Sequence, residues 1–151
     1  MNGSDDALAE LTRIAQESAQ AYFDGDLDTY AGLVRHGDDF SLMPPFGGPT
    51  VHGFVLSDES RESTRRTFHG GDVAVEVEAA YVGADLAVLA VVERQAGQVG
   101  ELPAQDWSLR VTLVFRREGQ GWRLVHRHAD ALVHPIGWNT LSGLARGAYG
   151  D

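Results

Sequence analysis

No cysteine occurs in the 151 residues, which excludes disulfides, thiol nucleophiles and cysteine-ligated metals. No apolar run approaches the length of about eighteen residues at which a membrane-spanning helix becomes a candidate. Positive charge is scarce: 12 Lys and Arg residues stand against 22 Asp and Glu, and no basic run exceeds two. The resulting formal charge of −10 at pH 7 repels phosphate backbones and argues against nucleic acid as a partner. The opening Met1-Asn-Gly-Ser-Asp-Asp has neither the basic nor the apolar region of a leader peptide. These absences lead us to expect a soluble, cytoplasmic protein without membrane contact.

The residues present describe a folded chain. With 43% hydrophobic and 23% charged residues the composition is that of a globular protein and excludes extensive disorder, and the length suits one domain over 1–151. Ala7, Leu8, Leu11, Ile14, Ala15, Ser18 and Tyr22 fall on one stripe about 120° wide, which predicts a helix over 5–24. Gly25 ends it, Asp26 caps a short second helix carrying Leu27, Tyr30, Ala31 and Val34, and the two should pack as a hairpin. A strand over 39–43 runs into a Pro- and Gly-rich loop, and Ser57 caps a third helix reaching Phe68. Its first turn holds Asp58 and Glu59 and its last Arg65 and Arg66, as the helix dipole favours.

From Asp72 onward the period becomes two. Val73, Val75, Val77, Ala79 and Tyr81 are expected on a buried face; Leu86 to Val92 reads as a central strand, and 95–105 as a long hairpin loop. A short helix is expected near Thr140 to Arg146. Helices first and an antiparallel sheet afterwards make an α+β domain.

The hairpin Trp107 to Asp130 holds the most chemistry. Trp107, Leu109, Val111, Leu113 and Phe115 form the apolar face of its first strand. On the second strand, arginine seldom enters a core, so Arg123 and Arg127 are expected outside. Parity then sends Trp122, Leu124, His126, His128 and Asp130 inward, like the polar lining of a cavity. His126 and His128 are the candidate catalytic residues, because imidazole exchanges protons near neutral pH and a carboxylate such as Asp130, Asp39 or Asp106 could fix its tautomer. The His-x-His spacing would also suit a metal, with His52, His69 or Asp39 as third ligand, but none lies at a diagnostic spacing; the metal-free reading is preferred and no cofactor is expected. Tyr22, Tyr30, Met43, Phe46 and Trp107 are candidate walls of an apolar ligand pocket. Ser18, a lone hydroxyl in an apolar stripe, either bonds back to its own helix or faces that pocket. Arg110 is expected outside, beside Glu76 or Glu78.

Four segments carry a family resemblance: Tyr22-Phe-Asp-Gly-Asp-Leu-Asp28, Asp39-Phe-Ser-Leu-Met-Pro-Pro-Phe-Gly47, Arg110-Val-Thr-Leu-Val-Phe115 and Gly121-Trp-Arg-Leu-Val-His-Arg-His-Ala-Asp130. In this order the chain resembles the SnoaL-like and ketosteroid-isomerase-like families of the nuclear-transport-factor-2-like superfamily. The resemblance implies an α+β cone, also called cystatin-like, in which N-terminal helices pack on a strongly curved, mainly antiparallel sheet that encloses a pocket. It also implies a homodimer formed through the sheet face away from the helices. Steroid isomerases of that group use a carboxylate base just before a Pro, a Tyr on the first helix and a protonated Asp on a later strand. Here Leu42 or Met43 falls at the base, Ser18 nearest the Tyr, and Val111 or Ser108 near the second acid, with Asp106 the closest carboxylate. Steroid isomerisation is therefore not expected. The expected function is a pocket for a small, largely apolar organic ligand; the alternatives are a cofactor-free cyclase, dehydratase, hydrolase or isomerase using a pocket histidine, or a dimerisation module with a vestigial pocket.

Overall fold

The computed structural model describes residues 3–148. Helix α1, Gly3–Phe23, buries Ala7, Leu11, Ala15 and Ser18 of the stripe that its spacing predicts, and at its C-terminal end it buries Ala21 and Phe23, while Tyr22, expected in the stripe, is 38% exposed. It stops at Gly25, whose φ of 77° lies in the left-handed region and where a Cβ would collide with the Phe68 carbonyl oxygen. Asp26 accepts a hydrogen bond from the Thr29 amide and so starts α2, Leu27–Leu33. After β1 (His36–Met43) and β2 (Val51–His52), Ser57 caps α3, Asp58–Thr67, in a capping box with Ser60. The remaining elements are β3 (Phe68–Val82), β4 (Leu86–Val99), β5 (Gln105–Asp106), β6 (Leu109–Glu118), β7 (Gly121–Asp130) and α4 (Trp138–Ala145).

The strands form one sheet in the order β2-β1-β7-β6-β4-β3, with β5 added beside β4. All pairs are antiparallel except β1 with β7. The core lies between α1 and the inner face: Leu11 and Ala15 belong to one buried cluster with Ala87, Leu89 and Val91 of β4 and Val111, Leu113 and Phe115 of β6. Gln16 fastens the helix to the edge strand, since its side chain donates to the Val73 carbonyl and accepts from the Val75 amide. Backbone groups that an edge would leave open are thereby satisfied. The hairpin of β3 and β4 is longer than its sequence suggests. Paired residues run from Val82 and Ala87 out to Phe68 and Val99, so much of the expected loop 95–105 is strand. Close backbone approach makes this possible, since a Cβ on Gly97 would meet the Gly70 carbonyl oxygen and Phe23 Cε2.

Two bulges re-aim side chains, because each inserts one unpaired residue and reverses the alternation beyond it. In β3 the register shifts between Val77 and Ala79, so Ala80 and Val82 pack on the core while Tyr81, expected inside, is 66% exposed. In β7 the partner of Val114 is His126 but that of Phe115 is Leu124, which leaves Val125 as the extra residue. Trp122 and Leu124 stay inside, and beyond the bulge Arg127 and Ala129 oppose the core residues Leu113 and Val111. His126, His128 and Asp130 oppose Val114, Thr112 and Arg110 on the outer face. The expected inward orientation of His126, His128 and Asp130 is thus corrected, and so is the outward orientation of Arg127. Arg123, before the bulge, lies opposite Arg116 on the outer side as expected.

Candidate functional site

An ion pair stands on the apolar inner face. Glu93 is in phase with Ala87, Leu89 and Val91 along β4 and is 3% exposed. Across the sheet Arg127, flanked by Leu113 and Leu42, forks onto it with Nη1 at 2.7 Å and Nη2 at 2.9 Å from the two carboxylate oxygens. Burial alone would lower the arginine's pKa, but the Glu93 charge and hydrogen bonds outweigh it and hold the guanidinium above its ordinary value. Two phenols face the pair. Tyr22 and Tyr30 meet edge to face at 5.3 Å, and burial raises the pKa of both despite the opposing field of Arg127, so both stay protonated. Phe68 packs on Tyr22 at 5.1 Å, and Phe54 on Tyr30 at 5.7 Å.

His36 completes the cluster. Its Nε2 is 3.1 Å from the Tyr30 hydroxyl, and its ring stacks on Phe54 at 4.1 Å with 10° between the planes. Burial pushes its pKa down to about 4, so the imidazole is neutral near pH 7. It lines an open cavity of about 490 Å³ together with Val34, Arg35, Phe54 and Arg123. A line of polar groups thus runs from that cavity through His36 and Tyr30 toward the Arg127–Glu93 pair.

Of the residues singled out in the sequence, the structure brings only Tyr22 and Tyr30 to this cluster. Ser18 is buried and its hydroxyl turns back to the Ala15 carbonyl at 3.4 Å. Trp107 donates its indole N–H to the Gly97 carbonyl at the far end of β4. Met43 is exposed opposite His128, and Phe46 stands 88% exposed in the loop after β1. His126 Nδ1 lies 2.7 Å from Ser41 Oγ on the outer face. Asp130 accepts both hydrogen bonds of Arg110, which is outside as expected but takes this partner rather than Glu76 or Glu78; Arg94 pairs with Glu76. Among the described residues, no three His, Asp or Glu side chains gather as a metal-ligand set. Arg127, Glu93 and His36 were missed as site residues. Glu93 had a signal: a carboxylate in phase with three buried apolar residues needs an internal cation.

Helices on one face of a bulged, mainly antiparallel sheet define an α+β cone, and the comparisons give the same class. The model of the SnoaL-like domain family matches residues 12–133, so the chain belongs to that family. No curated protein matches. Among solved structures, an NTF2-like protein of Salmonella enterica shares 17% identity over 90% of this chain and 99% of its own, with a TM-score of 0.70. An NTF2-like family protein of Streptomyces avermitilis, provisionally called a dehydratase, shares 21% over 87% and 99%, with a TM-score of 0.64. The association domain of C. elegans CaMKII shares 16% over 86% and 99%, with a TM-score of 0.62. Identities this low establish the fold and leave activity open.

Proposed function

We propose that the domain binds a small, largely apolar organic molecule with an acceptor oxygen, held beside Arg127 against the packed rings of Tyr22 and Tyr30. The observation that carries this reading is the buried Arg127–Glu93 pair. An ion pair on an apolar face adds little net stability compared with packed hydrophobic residues, so a role in recognition accounts for it better than a role in folding. Glu93 occupies both terminal nitrogens of Arg127, while the Arg127 Nε–H and the Tyr22 hydroxyl have no protein acceptor among the described residues. These donors suit a carbonyl or carboxylate oxygen, and the surrounding aromatic rings suit the apolar remainder. The roles expected of His126 and His128 do not enter this proposal, because both lie on the other side of the sheet.

The same reading includes a homodimer through the outer face. The helices cover one side of the sheet, and Val88, Ala90, Val92 and Val114 form an apolar centre on the other, between the Arg94–Glu76 and Arg110–Asp130 pairs.

Thermal unfolding with acetophenone and benzoate, and with toluene as the oxygen-free control, tests the pocket. An oxygen-bearing probe at ten times its Kd should raise Tm by about 3–5 °C. Tyr22→Phe should lose at least about half of that shift and Arg127→Gln nearly all of it, whereas His128→Asn should retain it. No shift from either oxygen-bearing probe, or one unchanged in Tyr22→Phe and Arg127→Gln, would contradict the reading.

A further inference from the structure

The open cavity beside His36 carries charges that the interior site does not use. Arg35 and Asp38 both line it, and among the described residues neither has a hydrogen-bond or ion-pair partner, the other included. A free cation is unusual in this chain. All 12 basic residues are arginines, and among the described residues only Arg66, which does not line this cavity, is likewise without a partner.

The backbone holds the two groups apart. The Arg35 carbonyl accepts from the Leu124 amide at 2.8 Å, which ties the link between α2 and β1 to β7, and Asp38 lies within β1. Extended chain advances about 3.3 Å per residue, so the two Cα atoms are about 10 Å apart and the charges stay separate. Gly37 and Gly53 line the same cavity and add no side chain to fill it. Arg123 supplies a second guanidinium, held only at the limit of contact: Nη1 is 3.5 Å from the His36 carbonyl oxygen and Nε 4.0 Å from Glu118. The rest of the wall is apolar, from Ala31, Val34 and Phe54.

The ligand follows from the signs of these charges. A simple anion would face Asp38 and the field of a chain of net charge −10, and a simple cation would face Arg35 and Arg123. A zwitterion has no net charge and meets each group with its opposite. The volume of about 490 Å³ lies in the range of small-molecule pockets, about 300–1,000 Å³.

We propose that this cavity is a second binding site, for a free amino acid with an apolar side chain. Its carboxylate pairs with Arg35 and Arg123, its ammonium with Asp38, and its side chain lies against Val34 and Phe54. The site goes beyond the interior reading and stands without it.

Isothermal titration calorimetry with phenylalanine tests the site, with hydrocinnamate and phenethylamine as analogues that each lack one charge. Phenylalanine should bind at least about tenfold more tightly than either analogue. Arg35→Gln and Asp38→Asn, both at exposed positions, should keep the wild-type Tm and each weaken phenylalanine at least about tenfold. Asp38→Asn should at the same time leave hydrocinnamate binding unchanged or tighten it, which a general loss of the cavity would not do. Tyr22→Phe should bind phenylalanine as the wild type does. No binding of phenylalanine, or an analogue that binds equally well, would overturn the proposal. So would affinity kept in Arg35→Gln and lost in Tyr22→Phe, which would put the amino acid in the interior.

Discussion

Removing one partner of the Arg127–Glu93 pair strands the other charge on an apolar face, whereas removing both leaves none. Such losses of a single partner cost about 3–5 kcal/mol, and the 24% exposure of the Arg127 side chain places this pair toward the lower end. Glu93→Leu and Arg127→Met should therefore each lower stability by about 3 kcal/mol in urea unfolding, and the double variant should recover most of it. Recovery below about 1 kcal/mol would show that the pair is not the unit described. His36 makes a separate prediction in acid. Its folded pKa of about 4 lies below the ordinary 6.5, so the unfolded chain binds the extra proton first, and stability falls as pH drops from about 6.5 to about 4. The carboxylates of Asp39 and Asp130, held below their ordinary values by Arg116 and Arg110 respectively, act in a lower window. Their contribution is present above about 3.8 and is lost as pH falls through their folded pKa values. His36→Gln should flatten the upper window and leave the lower one, as read from urea midpoints against pH. An unchanged slope between pH 6.5 and 4 would contradict the burial of a neutral imidazole.

Elements whose ends are set by local chemistry were legible from sequence, and those that depend on a partner strand were not. Gly25, Asp26 and Ser57 marked helix boundaries correctly because left-handed backbone and side-chain caps are local devices. The bulges at Glu78 and Val125 left no comparable mark, and each reversed the faces of the residues after it. The same reversal explains the candidate site: Tyr22 and Tyr30 were singled out from sequence and stand in the cluster, but counting by two along β7 selected His126 and His128 and passed over Arg127. The β3–β4 arm was hidden for another reason. Its glycines read as loop, yet Gly97 lies against Gly70 and Phe23 in paired strand. Gly97→Ala should cost about 3 kcal/mol or more, because its Cβ meets backbone that cannot yield, while Gly121→Ala, with nothing within 4 Å, should stay within about 0.5. Thermal unfolding of the two variants checks this, and equal Tm values would contradict the close approach.

At the scale of the molecule, one face of the sheet carries the core and the polar cluster, and the other is the surface proposed for association. Light scattering at micromolar concentration should give twice the chain mass of 16.3 kDa. Val114→Arg, which places a second cation near Arg116 at the centre of the outer face, should give the monomer mass with an unchanged circular dichroism spectrum. A wild-type monomer would contradict the dimer without touching the interior site. The interior is tested most directly by a crystal structure grown with acetophenone or benzoate. Electron density for the ligand should lie beside Arg127 against the Tyr22–Tyr30 pair, with its oxygen about 2.7–3.2 Å from the Tyr22 hydroxyl or Arg127 Nε. Density beside His126 and His128, or in the groove at Arg35 with the interior empty, would contradict the account.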